Sequence, residues 1–434
     1  MTNENEACII QKKQLCICIF VYIVKKEEDI MKKFKKFLSV AVASAMVMSM
    51  AGCGNADNGS AATGTNAAES AATDNGAASG SVFKIGGIGP TTGGAAVYGL
   101  AVQHGAEIAV EEINAAGGIN GYQIEFKFQD DEADAEKSVN AYNALKDWGA
   151  QIIDGSTTSG ACIAVTDKTK EDNMFQITPS GSAVECVQYD NNFRVCFSDP
   201  NQGLASAQYI GENGLAEKVA VIYDSSDVYS SGIYEKFVKE SENQPFEVVA
   251  AEAFTADNKT DFSVQLQKAK DAGADMVFLP IYYQESALIL TQAAGMGYAP
   301  KWFSCDGMDG ILGGVDNFDV SLTEGVMLLT PFAADATDDL TQTFVSKYKE
   351  KYGETPNQFA ADSYDAIYVI KAAIEKSGVT PDMSVSDICD GMKAAMTEIT
   401  VDGLTGNGMT WTADGEANKA PKAVVIENGA YKAM

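Results

Sequence analysis

The stretch of residues 83–134, FKIGGIGPTTGGAAVYGLAVQHGAEIAVEEINAAGGINGYQIEFKFQDDEAD, decides the fold class of this chain. It opens with a short apolar strand that runs to Gly89, and residues 97–115 then repeat apolar side chains at the spacing of a helix. The pair Gly117-Gly118 predicts the C-terminus of that helix, and residues 123–128 predict a second strand. A strand, a helix and a strand in this order predict two parallel strands joined by a crossover helix.

The same alternation continues along the chain and begins afresh after Asp199. Strands are predicted at 151–154, 174–178, 218–223, 246–251 and 275–279, and helices at 134–148, 160–171, 232–240, 262–271 and 285–294. Alternation of this kind predicts an α/β fold with doubly wound parallel sheets that carry helices on both faces. Two successive sets predict two similar lobes, and ligands of such sheets bind beyond the carboxyl ends of the strands.

The N-terminal region differs in composition from the rest of the chain. Residues 31–53 read MKKFKKFLSVAVASAMVMSMAGC, which is a lysine-rich start, an apolar stretch and a small-residue ending before Cys53. This segment resembles a bacterial lipoprotein signal peptide (31–52) with Cys53 as the lipid-modified residue; an uncleaved anchor helix is the alternative, although the apolar stretch is short for a membrane span. We interpret residues 1–30 as an over-extended gene start. Residues 53–81 are interpreted as the lipidated cysteine and a flexible linker, since residues 54–80 lack larger apolar side chains.

Composition argues against several classes of protein. The formal net charge is −29, which argues against a nucleic-acid partner and against general adsorption to anionic lipid. The sequence contains neither a GKS or GKT phosphate loop nor a G-x-S-x-G element, and His104 is its single histidine. A serine hydrolase would therefore lack an obvious base, and a metal framework is not expected. We predict no enzyme activity, no cofactor and no metal site.

Five cysteines follow Cys53 in the sequence, and they contain no CxxC pair. They are Cys162, Cys186, Cys196, Cys305 and Cys389. Cys186 and Cys196 could meet across a turn to form a disulfide, and buried free thiols are the alternative.

The stretch 83–134 resembles the opening of branched-chain amino-acid-binding proteins, the leucine/isoleucine/valine type of periplasmic binding protein. Further landmarks of that family follow in the expected order: Gly155-Ser156-Thr157-Thr158-Ser159-Gly160, Ile177-Thr178-Pro179, Phe193-Arg194, Tyr229 with Gly232, Tyr282 ahead of Glu285, Cys305-Asp306-Gly307, and Phe359 ahead of Tyr364. The resemblance implies a periplasmic-binding-protein-like I fold, in which three chain crossings join two lobes. Lobe 1 would comprise residues 82–198 and 332–418, and lobe 2 residues 199–331 and 419–434.

The resemblance also implies a site for a free amino acid, which needs hydrogen-bond donors for its carboxylate and an anion for its ammonium group. Ser159, where a strand gives way to a helix, matches the position that binds the carboxylate with its hydroxyl and N–H groups. Ser182 matches a second hydroxyl residue, the Ser180 carbonyl would accept from the ammonium, and Asp306 would be the anionic partner. From the residues alone, a helix cap at Ser159, a polar loop residue at Ser182 and an Asp-Gly turn at Asp306 are the alternatives.

Aromatic residues match the walls of that family's ligand chamber. Tyr98 and Phe359 would come from lobe 1, and Tyr229 and Tyr282 from lobe 2. Thr158 would line the chamber as well. For each aromatic side chain by itself, packing in the hydrophobic core is the alternative. Because none of these side chains discriminates by charge, we expect the ligand to carry an aliphatic or otherwise apolar side chain.

The sequence thus predicts an extracytoplasmic receptor that is tethered to the cell membrane through Cys53 and closes over an amino acid by a hinge motion. By resemblance it would act as a monomer and deliver its ligand, of the leucine/isoleucine/valine class, to an ABC permease driven by an ATPase. Two alternatives stay open. One is a sensory binding module of the same fold, and the other is a binder of a related small amide or polar amino acid.

Overall fold

A computed structural model describes residues 81–434 as an α/β protein with two sheets. Its strands are β1 (Phe83–Gly89), β2 (Ile124–Asp130), β3 (Ile152–Asp154), β4 (Phe175–Thr178), β5 (Asn192–Arg194), β6 (Lys218–Asp224), β7 (Glu247–Phe254), β8 (Met276–Leu279), β9 (Lys301–Ser304), β10 (Met327–Thr330), β11 (Lys422–Glu427) and β12 (Ala430–Ala433). Its α-helices are α1 (Ala96–Ala115), α2 (Ala135–Trp148), α3 (Ser159–Asp172), α4 (Asp199–Glu212), α5 (Val228–Ser241), α6 (Ser263–Asp271), α7 (Tyr283–Gly295), α8 (Asp339–Tyr352), α9 (Gln358–Ser377) and α10 (Val385–Met396). None of these helices is long and apolar enough to cross a membrane. The signal-peptide and Cys53 predictions fall on residues 1–80, outside the described part of the chain.

The first sheet has five parallel strands in the order β2-β1-β3-β4-β5. Strand β1 lies between β2 and β3, and its register pairs Ile85 with both Phe126 and Ile152. Nearly all side chains of β1 are buried, as expected for a parallel strand that has helices on both faces. This arrangement confirms the crossover unit predicted from residues 83–134.

The second sheet has seven strands in the order β12-β11-β10-β9-β8-β6-β7. Strands β6 to β10 run parallel to one another, whereas β11 pairs antiparallel with both β10 and β12. The predicted parallel sheet thus carries an antiparallel hairpin at this edge. The turn between β11 and β12 is Asn428-Gly429, with φ of 53° and 71°, and an Asn-Gly pair with two positive φ angles makes a tight antiparallel hairpin.

A close-packed helix pair lies beside each sheet. Helices α1 and α9 pack together beside the first sheet, and α4 and α5 beside the second. A Cβ atom at Gly105 of α1 would lie 2.0 Å from the Ala360 carbonyl oxygen, and one at Gly203 of α4 would lie 2.4 Å from the Ile233 carbonyl oxygen. Glycine is required at both positions because any side chain would push the helix backbones apart.

The chain crosses between the two sheets three times. Strand β5 ends in the first sheet, and α4 begins only five residues later beside the second. Strand β10 of the second sheet is followed by α8, which packs against α1. Helix α10 contacts β4 of the first sheet, after which β11 rejoins the second sheet. The two-lobed fold class with three crossovers is confirmed.

Cys162, Cys186, Cys196, Cys305 and Cys389 all carry free, buried thiols. The Cys186 sulfur lies 3.7 Å from the Ser159 carbonyl oxygen. The disulfide between Cys186 and Cys196 is therefore not formed, and the free-thiol alternative describes the structure.

Candidate ligand-binding site

A small cavity lies between the two lobes. All nine residues that the sequence singled out as ligand-binding line it, together with two others, so that the full lining is Tyr98, Thr157, Thr158, Ser159, Ser180, Ser182, Tyr229, Tyr282, Asp306, Gly307 and Phe359. Thr157 and Gly307 were missed, although each adjoins a predicted residue within the same motif. The structure thus brings together residues that are up to 261 positions apart in the sequence.

Ser159 is the first residue of α3, and its side chain is hydrogen-bonded to the loop that follows β4. Its Oγ accepts hydrogen bonds from the N–H groups of Ser182 and Ala183, both at 3.1 Å. The alternative that Ser159 merely caps its own helix is therefore wrong. Because two donors already occupy the oxygen, the hydroxyl proton is left to be donated, and the N-terminus of α3 adds a positive partial charge at the same place.

Two buried hydroxyl groups of the cavity lining have no hydrogen-bond partner. They are Thr158 Oγ1 and Ser182 Oγ. The Ser180 hydroxyl, by contrast, donates to the Thr157 carbonyl oxygen at 2.7 Å. A buried hydroxyl without a partner costs about 1–3 kcal/mol, so both unpaired groups favour a polar ligand that completes their hydrogen bonding.

Arg194 positions the loop that carries Ser182. Its fully buried guanidinium donates hydrogen bonds to the carbonyl groups of residues 181–184 and lies 3.3 Å from Glu416 Oε1. The Arg194 carbonyl accepts in turn from Trp411 Nε1 at 2.7 Å. In the sequence Arg194 was a landmark without a role. An arginine within an apolar run, residues 193–197 (FRVCF), is the signal that could have pointed to it, since a buried arginine must be paired.

Asp306 is the acidic group of the cavity, and both of its carboxylate oxygens are hydrogen-bonded. Oδ1 accepts from the Tyr229 hydroxyl at 2.6 Å, and Oδ2 accepts from Gln202 Nε2 at 3.0 Å. The Tyr229 hydroxyl also accepts from the Gly307 N–H at 2.9 Å. Burial raises the pKa of Asp306 to about 7, because a low-dielectric site disfavours the charged carboxylate. A cation in the cavity would restore the ionised form.

Two residues near the start of α4 support Asp306 and were missed in the sequence. One is Gln202, the donor to Asp306. The other is Asp199, which is 1% exposed and has no hydrogen-bond partner at either carboxylate oxygen. Burial raises the pKa of Asp199 well above its usual value, and the Asp306 charge raises it further. Both effects favour the neutral, protonated form of Asp199 in the absence of a cation.

The aromatic side chains of the lining turn their rings toward one another around the cavity. Tyr98 and Phe359 have ring centroids 4.3 Å apart, and Tyr229 stacks on Tyr282 at 5.1 Å. The Tyr98 hydroxyl donates to the Gly307 carbonyl oxygen and accepts from the Tyr283 N–H at 3.1 Å. Since hydroxyl groups of Tyr98 and Tyr229 are engaged within the protein, the rings offer a largely apolar wall to a ligand.

The fold and the site together are those of a two-lobed solute-binding protein. A family model described as periplasmic binding protein matches residues 82–430, and the chain belongs to that family. It is 31% identical over 69% of its length, and over 80% of the relative, to a Leu/Ile/Val-binding protein homologue of Brucella melitensis. It is also 30% identical to a leucine-, isoleucine-, valine-, threonine- and alanine-binding protein of Pseudomonas aeruginosa, over 68% of this chain and 79% of the relative.

Solved structures of branched-chain amino-acid-binding proteins are similar throughout the described body. The substrate-binding protein LivJ of Streptococcus pneumoniae, in complex with isoleucine, aligns with a TM-score of 0.73 and 29% identity over 81% of this chain and 99% of that one. The leucine-binding protein LivK of Thermotoga maritima aligns with a TM-score of 0.72 and 27% identity, over 81% and 98% of the two chains. A benzoate complex from R. palustris at 20% identity shares the fold.

Proposed function

We propose that this protein is the receptor of an ABC importer and that its ligand is an amino acid of the leucine, isoleucine and valine class. The observation that carries the proposal is the division of the cavity: buried hydroxyl groups of Ser159 and Ser182 lie on one lobe, and the Asp306 carboxylate lies on the other. A zwitterion matches this division because it presents an anion and a cation a few ångströms apart.

The carboxylate of the ligand would bind at the start of α3. There the Ser159 hydroxyl has a proton to donate, Ser182 has an unpaired hydroxyl, and the helix N-terminus favours an anion. The ammonium group would bind Asp306, with the Ser180 carbonyl as a further acceptor. Three to four charge-assisted hydrogen bonds supply the roughly 8 kcal/mol that a micromolar dissociation constant requires.

The ligand side chain would lie among the rings of Tyr98, Tyr229, Tyr282 and Phe359, with Thr158 beside it. An apolar side chain gains from burial against these rings. A charged side chain would be left without a partner there, which is costly in a dry cavity. Two similar proteins support the same ligand class: one was solved in complex with isoleucine, and the other is named a leucine-binding protein.

Binding would close the two lobes about their three connections. We take lobe 1 as residues 82–198 with 332–418 and lobe 2 as residues 199–331 with 419–434, a division supported by the two separate sheets. The described form has direct contacts across the cavity, such as the hydrogen bond from Tyr98 to Gly307. A ligand favours closure because it touches both lobes only in the closed form.

Delivery would take place at the outer face of the cell membrane. In this proposal Cys53 carries the lipid that holds the protein there as a monomer, residues 54–80 act as the tether, and a permease with its ATPase takes up the released amino acid. The family supports the transport role, whereas the N-terminal sequence pattern supports the anchor. A sensory role would instead leave uptake normal in a deletion strain and alter gene expression.

Calorimetry on the purified protein, after native mass spectrometry has identified any co-purified ligand, tests the ligand class. We expect leucine, isoleucine and valine to bind at micromolar or lower concentration and lysine and glutamate to bind at least 100-fold more weakly. The proposal would be overturned if only a charged amino acid bound tightly, or if no amino acid bound at all. Loss of leucine uptake in a deletion strain then separates transport from signalling.

A further inference from the structure

We infer that Val97 and the glycines Gly310 and Gly314 form a socket between the lobes that sets the ligand affinity, although none of the three lines the amino-acid cavity. Val97 lies on α1 of the first lobe, next to the cavity residue Tyr98. The two glycines lie on the second lobe, in the loop that follows Asp306 and Gly307. This inference rests on the proposed function in one respect, namely that ligand binding is coupled to lobe closure.

The side chain of Val97 occupies the space where the two glycines have none. A Cβ atom at Gly310 would lie 2.7 Å from Val97 Cγ1, and a Cβ atom at Gly314 would lie 2.6 Å from Val97 Cγ2. Carbon atoms attract one another at about 3.5–4.0 Å and repel below that range. Each methyl group of Val97 therefore packs against one glycine, and a side chain at either glycine would clash with Val97 in this closed arrangement.

Val97 cannot readily move out of the way. It stands in the first turn of α1, where a β-branched residue has one strongly preferred χ1 angle. Its backbone is held next to Tyr98, whose hydroxyl hydrogen-bonds to both Gly307 and Tyr283 of the opposite lobe. The fit of Val97 against the glycine loop is thus tied to the position of a wall of the cavity.

The same loop contains a glycine that the socket does not need. A Cβ atom at Gly313 would have no heavy atom within 4 Å. Neither Gly313 nor Gly314 has a positive φ angle, so alanine does not strain φ at either position. A Cβ atom at Gly314 would, however, also lie 2.8 Å from the Gly310 carbonyl oxygen of its own loop. The pair Gly313 and Gly314 therefore offers a matched comparison in which only one added methyl group meets the other lobe.

The socket affects the ligand affinity by changing the fraction of protein molecules that can close. The apparent dissociation constant equals the intrinsic one divided by the fraction of molecules that can close. A methyl group at Gly314 that opposes Val97 lowers this fraction without touching the ligand. It would shorten the lifetime of the closed complex, and so it would raise the dissociation rate more than it lowers the association rate.

The test compares Gly314→Ala, Gly313→Ala, Val97→Ala and the double variant Val97→Ala with Gly314→Ala in the full-length chain. With leucine as the probe we expect Gly314→Ala to raise the dissociation constant at least about tenfold and Gly313→Ala to leave it unchanged. The double variant should bind leucine more tightly than Gly314→Ala alone. This rescue is decisive because an alanine at Gly314 would also lie 2.8 Å from Tyr283 within its own lobe, a contact that Val97→Ala does not relieve.

X-ray scattering with saturating leucine supplies the second readout, since Gly314→Ala should remain more extended than the wild type. Equal affinity and equal compaction of Gly314→Ala and wild type would overturn the inference, as would a double variant no better than Gly314→Ala. If Gly314→Ala does not fold, Val97→Ala decides, because loss of the contact should raise the dissociation rate about fivefold and an unchanged rate would overturn the inference. A wild type that binds no amino acid would instead reject the proposed function.

Discussion

The two lobes share an architecture but offer opposite chemistry to the cavity between them. Each has a parallel sheet and a glycine-mediated helix pair, at Gly105 in the first lobe and at Gly203 in the second. The first lobe presents hydroxyl groups and a helix N-terminus, whereas the second presents Asp306 with its supporting donors. In the proposed function the two ends of a zwitterion bind to different lobes, so that neither lobe alone would satisfy the ligand.

The largest expected effect comes from removing the acid of the second lobe. Asp306→Ala should weaken leucine binding by about 3–5 kcal/mol, more than 100-fold, because the ammonium group would be buried without an anion. Calorimetry measures the loss, and Asp319→Ala is the control, since Asp319 is an exposed acid of the second lobe that does not line the cavity. If Asp306→Ala bound leucine as tightly as the wild type, Asp306 would not be the partner of the ammonium group.

The corresponding change in the first lobe should have a smaller effect. Ser159→Ala removes one donor to the ligand and leaves the Ser182 and Ala183 N–H groups without their acceptor, which together cost about 2–3 kcal/mol, or roughly 30- to 150-fold in affinity. Thr166→Ala, in the same helix α3 but outside the cavity, is the control. If both variants bind equally well, the carboxylate does not lie at this helix start.

The role of Arg194 in positioning residues 181–184 can be tested separately from the hydroxyl groups of the cavity. Arg194→Lys keeps the charge but loses the planar set of donors to residues 181–184. We expect affinity to fall about tenfold, with a lower midpoint of thermal unfolding. Glu416→Gln removes only the ion pair of Arg194 and should change affinity by less than a factor of three. Equal effects of the two variants would show that the ion pair, and not the carbonyl contacts, positions the loop.

The pH dependence of binding sharpens the comparison because the titrating acid, Asp306, belongs to the second lobe. The pKa of Asp306 is raised to about 7 by burial in the absence of a ligand. The ammonium group favours the ionised carboxylate, so binding releases a proton below pH 7. Affinity should therefore rise by up to about tenfold per unit as pH increases toward 7 and level off above it. Calorimetry from pH 5.5 to 8 measures this slope, and Asp306→Asn should flatten it; a flat wild-type profile would contradict the assignment.

The candidate site was accessible from sequence to the extent that its residues stand at element boundaries. Ser159 follows a strand and opens a helix, and Tyr282 follows the strand predicted at 275–279, whereas Asp306 was assigned only through the resemblance. Their partners were not accessible in this way. Gln202 reaches Asp306 across 104 positions, and Arg194 supports its loop only because β4 and β5 are neighbours. No local pattern encodes such contacts.

The fold shows the same division between local and long-range information. Up to α7, the alternation of apolar runs predicted most strands and helices within a few residues, but it left out β5, a strand of three residues, and α4, a helix of 14 residues. Strands β9 to β12 and helices α8 to α10 had no prediction. The Asn428-Gly429 turn was a usable signal for the terminal hairpin, yet it does not reveal that β11 pairs with β10, which ends 92 positions earlier.

By itself, the sequence determined the periodicity of the elements, the polarity of their ends and, through motif order, the class of protein. These depend on neighbouring side chains and on backbone preferences, which act over a few residues. Tertiary structure alone decided that the hydroxyl groups and Asp306 share one cavity, and that Val97 meets Gly310 and Gly314 between the lobes. Such contacts arise where sheet order and three chain crossings bring distant segments together, and close packing permits only one arrangement of them.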